Sequence, residues 1–78
     1  MSDSLFEVVV KATGLSPRIA PFVVRRVCAS VGFPAVNMNK AQLLSSLEAM
    51  ATALRIYKSP AEADEAVERL KKLAASHN

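Results

Sequence analysis

The chain has 78 residues, with 10 Lys and Arg against 7 Asp and Glu, one His and one Cys. A single cysteine excludes an internal disulfide, and one Cys with one His falls short of the four protein ligands of a structural zinc site. No apolar run approaches the roughly 20 residues that span a bilayer, and the first residues lack the basic start of a secretory signal, so a cytoplasmic protein without membrane contact is expected.

The apolar content is high for so short a chain. Hydrophobic residues make up 51% of the sequence, whereas a chain of this length removes only about 60% of its unfolded surface from water. Scattered apolar side chains are normal on any surface, but a surplus favours an uncovered face for a second chain. A protein partner or a second copy, as a homodimer, is therefore expected.

The first segment predicts a helix over residues 5–13. Ser4 and Glu7 have the spacing of a capping box, and Gly14 is a natural stop signal. The three consecutive valines Val8–Val10 are β-branched and could instead form a strand. The helix is favoured because no other strand-like run exists to pair with such a strand.

The second segment predicts a helix over residues 17–31, with one open question at its start. Pro17 suits a first helical position, but Pro21 has no N–H to donate to an earlier carbonyl. Either the first turn is distorted or the regular helix begins near Pro21. At the other end, Gly32 predicts a left-handed cap with Phe33 folding back on the helix.

The third segment predicts one amphipathic helix of about five turns over residues 40–57. Asn39 is its expected N-cap, and Gln42 stands three residues later, where a side chain can complete a capping box.

The fourth segment predicts a helix over residues 60–75. Ser59 and Glu62 have the capping-box spacing around Pro60, which fits the first helical position. Two ion pairs with a spacing of four residues are expected on its polar face: Glu65 with Arg69, and Glu68 with Lys72.

Together these segments predict an all-α fold, a compact bundle of four short helices with antiparallel neighbours in one domain spanning residues 1–78. The helical spacing of apolar residues also predicts the core. The expected core side chains are Val9, Val23, Val24, Val27, Val31, Leu43, Leu44, Leu47, Met50, Leu54, Val67, Leu70 and Leu73.

Residues with catalytic or metal-binding chemistry are few. His77 is the only histidine and stands next to the last residue, where chains usually fray and a fixed geometry is hard to hold. Cys28 follows the apolar spacing of its helix, which predicts a buried thiol. The carboxylates fall on helix surfaces, and no glycine-rich phosphate loop is present. No enzyme activity, cofactor, metal site or small-molecule substrate is expected.

Positive charge is concentrated in the middle of the chain. Between residues 8 and 61, seven basic residues stand against one acid, Glu48, which gives a formal charge of +6 (7 minus 1). Such a patch could meet phosphates or an acidic protein surface, or could be a solvated basic face. The basic residues are Lys11, Arg18, Arg25, Arg26, Lys40, Arg55 and Lys58.

These features favour a non-catalytic protein–protein interaction module, an adaptor or regulatory domain that dimerises or docks on a partner through an apolar face with a basic rim. Aromatic anchors dominate many such contacts. The apolar candidates for that face are Phe6, Phe22, Phe33 and Ile56, and Phe22 ranks first because it is offset from the apolar stripe of its helix. Arg18, Arg25 and Arg26 are the predicted rim.

The alternative is a small basic nucleic-acid-binding domain that contacts phosphates through Lys11, Lys40, Arg55 and Lys58. A DNA-reading helix-turn-helix is disfavoured because the connection over residues 32–38 exceeds the three to four residues of that motif.

Overall fold

The computed structural model describes residues 4–76, and every regular element in this part of the chain is helical. The predicted all-α fold is confirmed. In chain order the elements are α1 (Leu5–Ala12), α2 (Ala20–Val31), a short 3₁₀ turn (Ala35–Asn37), α3 (Lys40–Ser45), α4 (Leu47–Tyr57) and α5 (Pro60–Ala75).

Helix α1 begins at the capping box that the sequence predicts. The Ser4 hydroxyl accepts a hydrogen bond from the Glu7 backbone N–H at 3.3 Å, and the Glu7 carboxylate accepts one from the Ser4 N–H at 3.3 Å. The strand alternative for the three valines is wrong, because Val8–Val10 lie within the helix. Local capping therefore outweighs the β-propensity of the valines.

Helix α2 begins at Ala20, so the second of the two predicted starts is correct. Residues 17–19 form a turn in which the N–H groups of Ile19 and Ala20 donate to the carbonyl of Ser16 at 3.0 and 2.9 Å. Pro21 then lies in the first turn of α2, where its missing N–H breaks no intrahelical hydrogen bond.

The end of α2 has the predicted left-handed cap. Gly32 has a φ of 106°, and the N–H groups of Gly32 and Phe33 both donate to the Cys28 carbonyl, at 3.0 and 3.1 Å. The following connection is less exposed than its sequence suggests, because Ala35 and Met38 are buried against the core.

Helix α3 begins at a complete capping box. The Asn39 side-chain oxygen accepts from the Gln42 N–H at 2.8 Å, and the Gln42 side-chain oxygen accepts from the Asn39 N–H at 2.9 Å.

The prediction of a single helix over residues 40–57 is wrong, because the structure has two helices separated by one residue. The chain leaves regular helical geometry at Ser46, which separates α3 from α4. Ser46 is fully buried, and both its N–H and its hydroxyl donate to the Leu43 carbonyl, at 3.0 and 2.8 Å. A serine hydroxyl that bonds back to its own helix competes with the regular backbone pattern.

Helix α5 has the Ser59 N-cap but not the complete capping box predicted, because the Glu62 carboxylate accepts from the Ser59 hydroxyl and not from the Ser59 N–H. Its polar partners also differ from those predicted. The Ser59 hydroxyl accepts from the Glu62 N–H at 3.3 Å and also lies 3.2 Å from the Glu62 carboxylate. The two expected ion pairs are wrong. Glu68 pairs with Lys71 at 3.1 Å, and Arg69 donates to the Ala12 carbonyl of α1 at 2.9 Å.

The core lies between α5, which packs against α1, α3 and α4, and α2, which packs against α1 and α4. Most predicted core side chains are buried, and Leu47 and Leu73 are half-buried at its edge. Val31 and Leu44 are corrections, because both are exposed. Val31 is the last residue of α2, and Leu44 points about 100° around the helix from buried Leu43.

Small side chains at close helix contacts complete the core. The sequence-based core set omitted Ala20, Ala63 and Ala66, all of which are buried. Within residues 4–76, no helix combines the length and the apolar character needed to cross a membrane.

Candidate functional site

An apolar groove of about 400 Å³ runs between α2 and α4. Helix α2 supplies one wall and α4 the other. The groove is lined by Val23, Arg26, Val27, Ser30, Ala49, Thr52, Ala53, Ile56 and Tyr57.

The floor of this groove is shallow and has little free hydrogen-bonding capacity. Ala49 and Ala53 lie one turn apart on α4 and present only methyl groups. The Ser30 hydroxyl donates to the Val27 carbonyl of its own helix at 2.7 Å. Thr52 likewise donates to a carbonyl of its own helix, at 3.2 Å. The floor therefore presents a mainly apolar surface to anything that lies along it.

Large apolar side chains stand exposed around the groove. Ile56 is 76% exposed, Phe22 57% and Tyr57 48%. Phe22 was the first anchor predicted from the sequence, and its exposure matches its offset from the buried stripe of α2. Ile56 was also a predicted candidate, whereas Tyr57 was assigned to the apolar stripe of its helix by its spacing from Leu54.

The guanidinium groups of Arg25 and Arg26 on α2 contact different aromatic rings. The Arg26 guanidinium lies over the Phe22 ring, 5.8 Å from its centroid, and Arg26 also lines the groove. The Arg25 guanidinium lies over the Phe6 ring of α1, at 5.5 Å. Both distances are within the range of a cation–π contact. Of these two arginines, only Arg26 therefore lines the groove.

The remaining predicted rim and anchor residues lie elsewhere. Arg18 is in the turn before α2 and not on the helix itself. Phe33 is half-buried and packs against the core after the Gly32 cap. Among the side chains predicted for partner binding, the structure therefore brings Phe22 and Arg26 together.

A second cleft, of about 450 Å³, lies between α1 and α5. It combines an apolar floor with basic walls. Its lining residues are Val8, Lys11, Ala12, Arg69, Lys72, Leu73 and Ser76.

Positive groups converge beside this cleft at Gly14, whose φ is 70°. A Cβ atom placed on Gly14 would lie 3.0 Å from the Lys58 Nζ and 3.2 Å from an Arg69 terminal nitrogen. Lys40 also reaches this end of the molecule, because its Nζ donates to the Ser76 carbonyl. Helices α1, α3 and α5 and the connection between α4 and α5 thus all contribute cationic side chains to this region.

The sequence identified part of this cluster. Of the predicted phosphate contacts, Lys11 lines the cleft and Lys58 approaches it, whereas Arg55 pairs with Asp64 at 3.4 Å. The sequence analysis did not assign Arg69 and Lys72 to any site, because their spacing from glutamates predicted ion pairs within α5.

Cys28 is completely buried, as predicted. Burial raises the pKa of its thiol because the thiolate loses hydration. Among residues 4–76, no cluster of three or more His, Cys, Asp or Glu side chains could hold a metal ion. His77 lies outside the described residues, so the structure gives no information on it.

Comparison with models of protein families, with curated proteins and with solved structures finds no match for this chain.

Proposed function

We propose that the protein is a non-catalytic interaction module that binds one amphipathic helix of an acidic partner protein in the α2–α4 groove. The observation that carries this proposal is the exposure of Ile56 and Tyr57 in the lining of an apolar groove, with Phe22 exposed beside the lining residue Arg26. Large apolar side chains grouped in this way on a small domain are typical of interaction surfaces.

The form of the groove fits a helix. A helix-in-groove complex needs an apolar channel that receives side chains spaced three and four residues apart. The α2–α4 groove supplies methyl groups from Ala49 and Ala53 on its floor, which permit a close approach of a helix backbone. Ile56 and Tyr57 extend the apolar surface at one end. A helix lying along the floor would bury these exposed side chains.

The charge around the groove favours an acidic occupant. Arg26 lines the groove, whereas Arg25 is directed toward Phe6 of α1. Helix α2 contains no acidic residue, and α4 contains only Glu48, in its first turn. Opposite charge across an interface speeds association and excludes wrong partners.

A separate protein fits the groove better than a second copy does. In a two-fold dimer the same patch lies on both sides, so the basic rim would face a basic rim. Like charges placed against each other oppose such a contact. A stable dimer also buries about 800 Å² per partner, which is more than the few large side chains exposed here can supply.

The proposal is tested with a synthetic helical peptide that carries Leu at positions i, i+3, i+4 and i+7 and Glu on its opposite face. A matched peptide has Lys in place of every Glu. Fluorescence anisotropy of the labelled peptides measures the affinity. We expect the acidic peptide to bind and the basic peptide to bind at least ten times more weakly.

Variants of the protein test whether the groove is the binding surface. Ile56→Ala and Phe22→Ala should each weaken acidic-peptide binding about tenfold, which corresponds to about 1.4 kcal/mol. Leu44→Ala is the matched control, because Leu44 is 61% exposed and does not line the groove. Circular dichroism should show an unchanged fold in all three variants.

Three results would contradict the proposal. The first is equal binding of the acidic and basic peptides. The second is an equal loss of affinity in Leu44→Ala and Ile56→Ala. The third is self-association of the free protein in light scattering that Ile56→Ala abolishes, since the groove would then bind a second copy.

A further inference from the structure

The second cleft gathers cations that are far apart in the sequence. Lys11 of α1 and Arg69 and Lys72 of α5 line the cleft. Lys58, from the connection between α4 and α5, lies beside it near Arg69. The packing of α5 on α1 brings these groups to one place. Their proximity is a property of the fold and not of any single basic helix.

Two of these cations are held close to each other. The Lys58 ammonium and the Arg69 guanidinium both approach the position of a Cβ on Gly14, at 3.0 and 3.2 Å. Arg69 is fixed there by the hydrogen bond from its Nε to the Ala12 carbonyl at 2.9 Å. The two cationic groups therefore lie within 6.2 Å of each other (3.0 plus 3.2), and like charges repel at this distance.

The carboxylates nearest in sequence to these cations are engaged elsewhere. Glu68 pairs with Lys71, Glu7 binds the Ser4 cap and Glu62 binds the Ser59 cap. Within the described residues 4–76, no carboxylate forms an ion pair with Lys58 or Lys72. Lys58 and Lys72 therefore add positive charge to the region of the cleft that the carboxylates of the described residues do not neutralise.

We propose that the α1–α5 cleft binds adjacent phosphate groups of a nucleic-acid backbone, independently of base sequence. Lys58, Arg69 and Lys72 contact the phosphates, together with Lys11 on the opposite wall. Lysine and arginine side chains are the usual phosphate contacts in such complexes, and contacts of this type carry no sequence information.

The composition of the cleft distinguishes a backbone from other polyanions. Among residues 4–76 no aromatic ring lines it, so this part of the chain gives it no platform on which bases of a single strand could stack. None of the large exposed apolar side chains lines it either, whereas protein interfaces depend on such anchors. A duplex, which presents phosphates outward and keeps its bases stacked, fits these properties best.

The test measures the anisotropy of a fluorescein-labelled 20-base-pair DNA duplex with the full chain over a series of NaCl concentrations. Binding should be detectable at low salt and fall steeply as salt rises, through counterion release. The double variant Lys58→Gln with Lys72→Gln should reduce the slope of log K against log[NaCl] by about 2, since each lost phosphate contact removes about 1. It should also weaken binding at least tenfold at low salt.

The matched control is the double variant Arg25→Gln with Arg26→Gln. It removes the same number of positive charges from α2, outside the cleft, so its salt slope should equal that of the unaltered chain. A second measurement needs no variant: in a titration of the ¹⁵N-labelled chain with the duplex, the amide signals of Ala12 and Gly14 should shift more than those of Ala49 and Ala53.

Any one of three results would overturn the proposal. These are failure of the duplex to bind at low salt, an equal loss of affinity in the two double variants, and binding of inorganic triphosphate without binding of the duplex. The outcome is separate from that of the groove, because Ile56→Ala should leave duplex affinity unchanged.

Discussion

Leu43 and Leu44 are neighbours in the sequence but have opposite environments in the fold. Leu43 is fully buried, whereas Leu44 is mostly exposed. A periodic pattern alone assigned both to the core, because a stripe can be widened by one residue without losing its helical spacing. The distinction arises from the helices that surround α3, and α5 is the one packed most closely against it.

This difference gives a direct prediction for stability. Leu43→Ala should lower the free energy of unfolding by about 2–5 kcal/mol, because it leaves a cavity in a packed core. Leu44→Ala should change it by less than about 0.5 kcal/mol. Urea denaturation followed by circular dichroism measures both values. Equal losses in the two variants would mean that the burial described here is wrong.

The buried Cys28 thiol predicts how stability depends on pH. Its pKa in the folded chain is raised by burial, so above about pH 8.5 the unfolded chain loses the thiol proton while the folded chain keeps it. The free energy of unfolding should therefore fall as pH rises, at up to about 1.4 kcal/mol per pH unit from this group.

The contribution of this group is obtained as a difference between two chains. Denaturation of the unaltered chain and of Cys28→Ala is compared between pH 7 and 10, so that other titrating groups cancel. As pH rises, the free energy of unfolding of Cys28→Ala should increase relative to that of the unaltered chain. A gap that stays constant would show that the thiol ionises equally in both states.

Among the helices, α3 depends most on its cap. It spans only six residues, and so short a helix has little stability of its own. Its capping box satisfies N–H groups that would otherwise lack a partner in the helix. The buried break at Ser46 ends it after less than two turns.

Asn39→Ala should therefore lower the free energy of unfolding by about 1 kcal/mol. Asn37→Ala is the matched control, because Asn37 is an exposed asparagine in the preceding 3₁₀ turn and is not an N-cap. Thermal and urea denaturation of both variants provide the comparison. If Asn37→Ala lowers the free energy of unfolding as much as Asn39→Ala does, the Asn39 side chain does not stabilise the protein as an N-cap.

The existence of most helices could be predicted because the relevant interactions are local. Ser4, Asn39 and Ser59 each cap a helix through a residue three positions later, and Gly32 ends one through its own backbone conformation. Such signals are read within one turn of the chain. The break at Ser46 could not be predicted in this way. It occurs at a serine that is buried by the rest of the fold, and such burial cannot be seen in a local sequence pattern.

The two candidate sites also differ in how far the sequence alone could predict them. The exposure of Phe22 could be predicted from its offset within one helix. The basic cleft could be predicted only in part, because Lys11 and Arg69 meet through the packing of α5 on α1. Arg69 has a local glutamate at the correct spacing but donates to a carbonyl of α1, a choice that depends on contacts between distant segments.

The molecule as a whole buries its core and still leaves apolar groups outside. Its radius of gyration is 11.2 Å, close to the roughly 11.5 Å expected for a folded chain of this length. Even so, several large apolar side chains remain exposed, including Phe22, Ile56 and Tyr57. Composition alone predicted such a surplus. In the structure Ile56 and Tyr57 line the α2–α4 groove, and Phe22 lies beside Arg26, which also lines it.

The groove and the basic cleft are formed by different pairs of helices. The groove lies between α2 and α4, and the cleft lies between α1 and α5. None of the residues that the structure describes lines both. A protein helix and a duplex could therefore occupy the molecule at the same time, and substitutions in one site should leave the other intact.

The most direct test of the proposed helix-docking function is a titration of the ¹⁵N-labelled chain with the acidic amphipathic peptide, followed by NMR. The amide signals of Ala49, Thr52 and Ala53 should shift in a saturable manner, while those of Ala12 and Gly14 stay in place. Saturable shifts that instead centre on α1 and α5, or no shifts at millimolar peptide, would contradict the assignment of the α2–α4 groove as the binding surface.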